Sequence, residues 1–179
     1  SQEGAVYLEI GVYGGSTFCA AIQNNDMVAA YANDDWSQPN LQPAREELTI
    51  PLADVTVDTF VDNLQHNVQT DNLNFDIQVL KGDSSGLSKK DFKHDVNIIF
   101  YDGDNSEHKM REFFLNMLTF TADVFTLVID DANIQQNVEV TKRFVESNKL
   151  KVLYERELLN DMEDEKMWWN GLYVLVLSK

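Results

Sequence analysis

Short unbroken apolar runs alternate along the chain with stretches in which apolar residues recur every three to four positions. The first pattern reads as buried strand and the second as amphipathic helix. Strands are expected at 6–10, 27–32, 76–81, 96–101, 124–129, 150–156 and 171–177, and helices at 17–23, 58–68, 107–120 and 134–147. Phe60, Val61, Leu64 and Val68 mark the buried stripe of the second helix. Met110, Phe113, Phe114, Met117 and Phe120 recur at helical spacing in the third and are most simply core. Residues 37–57 hold all three prolines (Pro39, Pro43, Pro51) and the weakest pattern, an excursion from the core. Apolar strands separated by helices argue for a parallel sheet covered on both faces. The last two strands lack a helix between them and should form an antiparallel hairpin at one edge. The expectation is one α/β domain over 1–179, with a seven-stranded, mostly parallel sheet and a C-terminal antiparallel hairpin.

Composition narrows the partners. The 179 residues include 14 Lys+Arg against 30 Asp+Glu, a net charge of −16, with 44% apolar and 25% charged residues. That is globular rather than disordered composition. No window approaches the ~18 apolar residues of a membrane span, and SQEGAVYLEIG lacks the layout of a secretory signal. The single cysteine, Cys19, makes no intramolecular disulfide or thiolate zinc cluster and fits a reducing, cytoplasmic setting. Phosphate binding rests on Lys and Arg, so the charge predicts no nucleic-acid and no membrane partner, leaving a small-molecule acceptor.

In an open parallel sheet, ligands bind beyond the carboxyl ends of the strands. Five consecutive strands end in Gly, Asp or Ser clusters: 11–16, Asp34-Asp35, Asp83-Ser84, 102–105 and Asp130-Asp131. Gly11, Gly14 and Gly15 permit a sharp turn and close approach to a ligand, or merely a tight strand-to-helix turn. Ser16 or Thr17 is placed to cap the next helix, whose N-terminal amides favour an anionic group. Glu9 is costly to bury unless a cation or hydrogen-bond donor meets it, and it would repel a pyrophosphate. A ligand with both amine and carboxylate would satisfy Glu9 and the helix terminus together. Asp34, ahead of Asp35, sits where an acid commonly receives ribose hydroxyls. Trp36 offers a flat face to a base or packs half-buried. Asp83 and Ser84 are positioned for an adenine amino group or for a turn.

The stretch 8–17 (LEIGVYGGST) resembles the E-x-G-x-x-x-G motif of class I S-adenosylmethionine-dependent methyltransferases. YDGDNS at 101–106 is similar to the D-G-D-H-S motif of the methyltransferase-24-like branch, FTLVIDD at 125–131 to its fifth-strand ending, and WNGL at 169–172 to its closing hairpin. The resemblance covers nearly the whole chain in order, and it implies a Rossmann-like fold. It further implies that Glu9, Gly11 and Gly15 line the methionine and ribose end of S-adenosylmethionine, and that Asp34 holds the ribose. Asp83 and Ser84 would approach the adenine, and Asp102 the amine and the transferred methyl. Asn105 stands where the motif usually has His, so that role is lost or passes to His108.

Asp102, Asp130 and Asp131 close two strands expected to be neighbours. They are candidates to share Mg²⁺, Ca²⁺ or Mn²⁺, similar to the triad of catechol-type O-methyltransferases, or else are solvated strand-end acids. His66 and His94 read as surface and structural, whereas His108 is placed to act as a general base. Trp168-Trp169 wall a substrate pocket or pack on the sheet edge. The first expectation is an O-directed methyltransferase acting on a small hydroxylated acceptor. No Pro-Pro-aromatic motif follows the fourth strand, which disfavours nucleobase methylation. The alternative is an inactive binding or assembly module of the same fold. The first strand begins about five residues into the chain, so either residues 37–57 cover the acceptor, or a partner subunit (a homodimer) does, or no acceptor site exists. An NAD oxidoreductase is the weakest option, because Glu9 and the glycine spacing oppose it.

Overall fold

A computed structural model describes residues 4–37, 55–68, 73–160 and 170–179. The three prolines, Trp168-Trp169 and most of the acidic loop before them lie outside the described residues. Seven strands are observed: β1 (Ala5–Ile10), β2 (Met27–Asp34), β3 (Asp76–Lys81), β4 (Val96–Tyr101), β5 (Thr121–Ile129), β6 (Lys151–Leu158) and β7 (Leu172–Ser178). The helices are α1 (Ser16–Ile22), α2 (Val57–Asn67), α3 (Glu107–Met117) and α4 (Gln135–Ser147), with two short 3₁₀ turns, Ser84–Gly86 and Lys89–Asp91, between β3 and β4.

The strands form one sheet in the order β3-β2-β1-β4-β5-β7-β6. The first five run parallel, and β7 inserts antiparallel between β5 and β6. The predicted hairpin is therefore present, with β6 as the sheet edge. The result is the Rossmann-like, mostly parallel sheet with a C-terminal antiparallel hairpin that the pattern predicts.

Alternation along β1 divides the core into two layers. Leu8 and Ile10 face one side with Tyr101, Phe113, Phe114 and Phe120. Tyr7 faces the other with Phe18, Phe60 and Leu64 of α1 and α2. Phe113, Phe114 and Phe120 are fully buried, each worth about 1.5–3 kcal/mol of transfer free energy. Phe92 stacks on Phe120 at 4.3 Å, and Tyr101 lies 5.1 Å from Phe113.

Several boundaries shift by one to three residues from the expected ones, and three of the shifts have a local reason. β2 continues to Asp34 because the Asn33 side chain donates to the carbonyls of Leu80 (2.7 Å) and Gly82 (3.0 Å), keeping the polar strand end paired with β3. β5 starts at Thr121, where Asp123 and exposed Val124 interrupt the apolar run that signals a strand. α3 stops at Met117, and Phe120 reaches the core from a turn closed by its N–H on the Met117 carbonyl, 3.1 Å. On β6 the unpaired edge is interrupted by a bulge between Val152 and Tyr154, a common device against edge-to-edge pairing.

Candidate functional site

The carboxyl ends of β1 to β5 enclose a cavity of about 640 Å³. Its glycine-rich rim is set by crowding. Gly11 has φ +83°, and a Cβ there would meet the Asp102 carbonyl oxygen at 2.0 Å. Gly15 has φ +85°, and its Cβ would lie 2.8 Å from the Phe60 ring. These two glycines let the first loop fold against the β4 end and α2. The Gly11 N–H donates to the Asn33 carbonyl and the Asp102 N–H to the Ile10 carbonyl, both 2.9 Å, tying the three central strand ends together.

Of the sequence-derived candidates, Gly11, Asp34, Asp35, Asp83, Ser84, Asp102 and Asp131 line this cavity. Asp34, the last residue of β2, accepts the Tyr13 N–H and the Trp36 N–H, each 2.8 Å, one on each oxygen. Asp35 binds Ser37 through its N–H and hydroxyl. Asp83 accepts the Ser85 N–H (2.8 Å) and hydroxyl (2.7 Å) on one oxygen and the Lys109 ammonium (2.6 Å) on the other. Those bonds, the lysine's first, hold its carboxyl at about 2, below the usual range.

Other candidates are elsewhere. Glu9 is fully buried on the α1 side of β1. Its carboxylate accepts the Thr17 hydroxyl, and the Tyr7 hydroxyl at 2.5 Å. Protein donors, not a ligand amine, meet it here. Burial pushes its carboxyl up to about 7; the two hydroxyls pull down, and the Asp130 charge adds to the rise. Gly14 presents its carbonyl to Asn63, 2.9 Å, and Ser16 is exposed. The expected cap is not formed: Gly15 is the N-cap of α1, with no side-chain hydrogen bond, because Thr17 turns to Glu9. Trp36 packs on Phe60 at 5.8 Å, its indole N–H on the Tyr13 carbonyl at 3.0 Å. His108 points outward, 78% exposed and 3.3 Å from Glu112, and does not line the cavity.

The metal triad does not assemble. Among the described residues no three His, Cys, Asp or Glu are grouped to hold an ion. The reason is visible at Asp131, whose two oxygens accept amide N–H groups of Asn105 and Asn170, both 2.7 Å. Asp130 turns back to accept the Asp131 N–H at 2.8 Å, and burial, with the neighbouring Asp131 charge, lifts its carboxyl to about 6. The residues present do not fit a divalent cation.

Tyr13, Asp104 and Asn105, which fall inside the 11–16 and 102–105 strand-end clusters, also line the cavity, together with Asn33, Ser37 and Lys109, which those clusters leave out. Lys109 lies in the first turn of α3, where its sequence neighbours read as a solvated helix face.

The same architecture is found in solved structures of methyltransferases. A solved structure of TrmK from M. capricolum, in complex with S-adenosyl-homocysteine, superposes with TM-score 0.57 at 13% identity, covering 98% of this chain and 62% of that one. The small RNA methyltransferase HEN1 gives TM-score 0.64 at 9% identity, over 99% of this chain and 23% of that one. The N-methyltransferase NodS from Bradyrhizobium japonicum WM9, also with S-adenosyl-homocysteine, gives 0.57 at 13%, over 98% and 78%. The chain thus spans about three fifths of TrmK and under a quarter of HEN1. No protein-family model matches the sequence, and no curated protein matches it. Identities this low speak for the fold.

One expectation is corrected by these neighbours. Net charge was read as excluding nucleic acid, yet the fold is shared with an RNA methyltransferase. Whole-chain charge describes the average field and does not decide which acceptor a fold serves. No helix among the described residues is long and apolar enough to cross a membrane.

Proposed function

We propose that the cavity binds S-adenosylmethionine and that the chain is a methyltransferase. The observation that carries this reading is the convergence of Gly11, Asp34, Asp83 and Asp102, drawn from four different strand ends, on one 640 Å³ space. When bound, the cofactor supplies an electrophilic methyl on a positively charged sulfur. Gly11 leaves room for its amino-acid end against the β1 loop. Asp34, whose two oxygens keep lone pairs beyond the Tyr13 and Trp36 bonds, receives the ribose hydroxyls. Asp83 and Ser84 face the base.

Methyl transfer is an in-line displacement at carbon, so the protein's task is to position donor and acceptor. At the acceptor end, Asp104, Asn105 and Asp131 offer hydrogen-bond acceptors and an amide to an acceptor bearing a hydroxyl or amine proton. The Asp131 carboxylate is fixed by Asn105 and Asn170 and is suited to take that proton. No step requires a metal.

A second reading, a binding module without turnover, is favoured by one observation: no histidine is among the described residues lining the cavity. Calorimetry with S-adenosyl-homocysteine tests the cofactor reading. Micromolar binding is expected, weakened about 10–100-fold in Asp34→Asn, the loss of hydrogen bonds to a charged group. No heat at high micromolar ligand with folded protein ends it. Methyl transfer to hydroxyl, amine or RNA acceptors then separates enzyme from binding module.

A further inference from the structure

The cavity wall carries six aspartates (Asp34, Asp35, Asp83, Asp102, Asp104, Asp131) and one cation, Lys109. That lysine crosses from the first turn of α3 to the end of β3, where its ammonium meets Asp83 at 2.6 Å. Lys109 is half-buried, 35% exposed, and Asp83 is exposed at 52%, and both line the cavity.

Counting hydrogen-bond capacity gives the wall a polarity. One Asp83 oxygen accepts both the Ser85 N–H and the Ser85 hydroxyl, which uses its two lone pairs. The other accepts Lys109 and keeps a single lone pair. Lys109 has three N–H groups. One is on Asp83, the Glu112 carboxylate lies 3.7 Å away as a second ion-pair partner, and no further hydrogen bond of the ammonium is formed among the described residues. An acceptor and a donor therefore stand side by side, held by contacts between the loop after β3 and α3.

We propose that Lys109 is a specificity-determining residue for the nucleoside base: it fixes the Asp83 carboxylate to accept from a 6-amino group while its own spare N–H donates to the adjoining ring nitrogen. The inference rests on the cofactor reading above and deepens it. A 6-amino purine presents donor beside acceptor along that edge. A 6-oxo purine in the same pose presents acceptor beside donor and would set oxygen against the carboxylate. Such a mismatch leaves polar groups of the site unpaired, which is how sites built on hydrogen bonds discriminate. The low carboxyl value of Asp83, whose first cause is the lysine, agrees with a pair that stays charged.

The test is calorimetry of the full chain with S-adenosyl-homocysteine and its 6-oxo analogue, S-inosyl-homocysteine, using wild type, Lys109→Met and Lys109→Arg. Lys109 is on the surface of α3, so the methionine variant keeps the fold, checked by its melting curve. The expected result is a wild-type preference for the 6-amino ligand of about tenfold or more, a Met variant about tenfold weaker for it, and a preference falling to about threefold or less. Arginine should restore most of both. The proposal is overturned if the Met variant binds like wild type, or binds weakly with the same base preference, which marks a merely structural role. Wild type that binds neither ligand defeats the cofactor reading itself, a different outcome from an indifferent Lys109.

Discussion

Glu9 makes the protein's stability depend on pH in a direction unusual for a carboxylate. Its side chain is wholly buried between β1 and α1, with the Tyr7 and Thr17 hydroxyls and the Phe18 N–H as donors and no cation beside it among the described residues. Burial raises its carboxyl from 4.5 to about 7. Because the folded value lies above the unfolded one, the folded state binds the proton more tightly. The associated stability is complete below pH ~4.5 and is lost as pH rises through ~7. At 1.36 kcal/mol per pH unit the full span is about 3 kcal/mol, of which about 2 falls between pH 5.5 and 8. Glu9→Gln removes the titration and keeps the shape, and the hydroxyls of Tyr7 and Thr17 can rotate to accept from the new amide. Urea unfolding at the two pH values should show the variant gaining about 2 kcal/mol on wild type as pH goes from 5.5 to 8. A gap that stays constant within ~0.5 kcal/mol would refute the account of Glu9 as a buried acid without a counter-ion.

Gly11→Ala should lower stability by about 2–4 kcal/mol, from left-handed strain plus the clash with the Asp102 carbonyl. At this chain length that is roughly 5–15 °C in a melting experiment. Gly82→Ala, with φ +138° and nothing within 4 Å of the added carbon, is the control for strain alone; equal losses would refute the close approach at Gly11. A wall of six aspartates and one lysine should favour the sulfonium of S-adenosylmethionine over neutral-sulfur S-adenosyl-homocysteine. That preference should shrink between 50 and 500 mM salt, and a ratio independent of salt would count against electrostatic selection.

Much of the fold was legible because its signals are local. β3 and β4 were bounded correctly, since each is a run of apolar residues between turn residues. The strand-end rule located Asp34, Asp83 and Asp102 because a parallel sheet sends every such loop to one rim. What the rule does not encode is the direction of each side chain. Glu9 is one residue short of the strand end, and alternation turns it into the α1 layer, away from the rim. Asp130 and Asp131 are adjacent, so they diverge; only Asp131, at φ +56°, lines the cavity.

The same logic explains why Lys109 escaped notice. Its place in the site depends on how α3 packs beside the 3₁₀ turn after β3, a tertiary fact with no periodicity of its own. Asn105 shows the converse. Its sequence position marked it as a departure from a motif, and that departure has a structural counterpart, since its amide donates to the Asp131 carboxylate where an imidazole or a cation would otherwise compete. Among the described residues, the Asn105 and Asn170 amides hold Asp131 and Lys109 holds Asp83. On the proposed reading, the hydrogen bonds already made at Asp83 and Asp131, more than the number of acids, set which ligand groups the wall can still pair with.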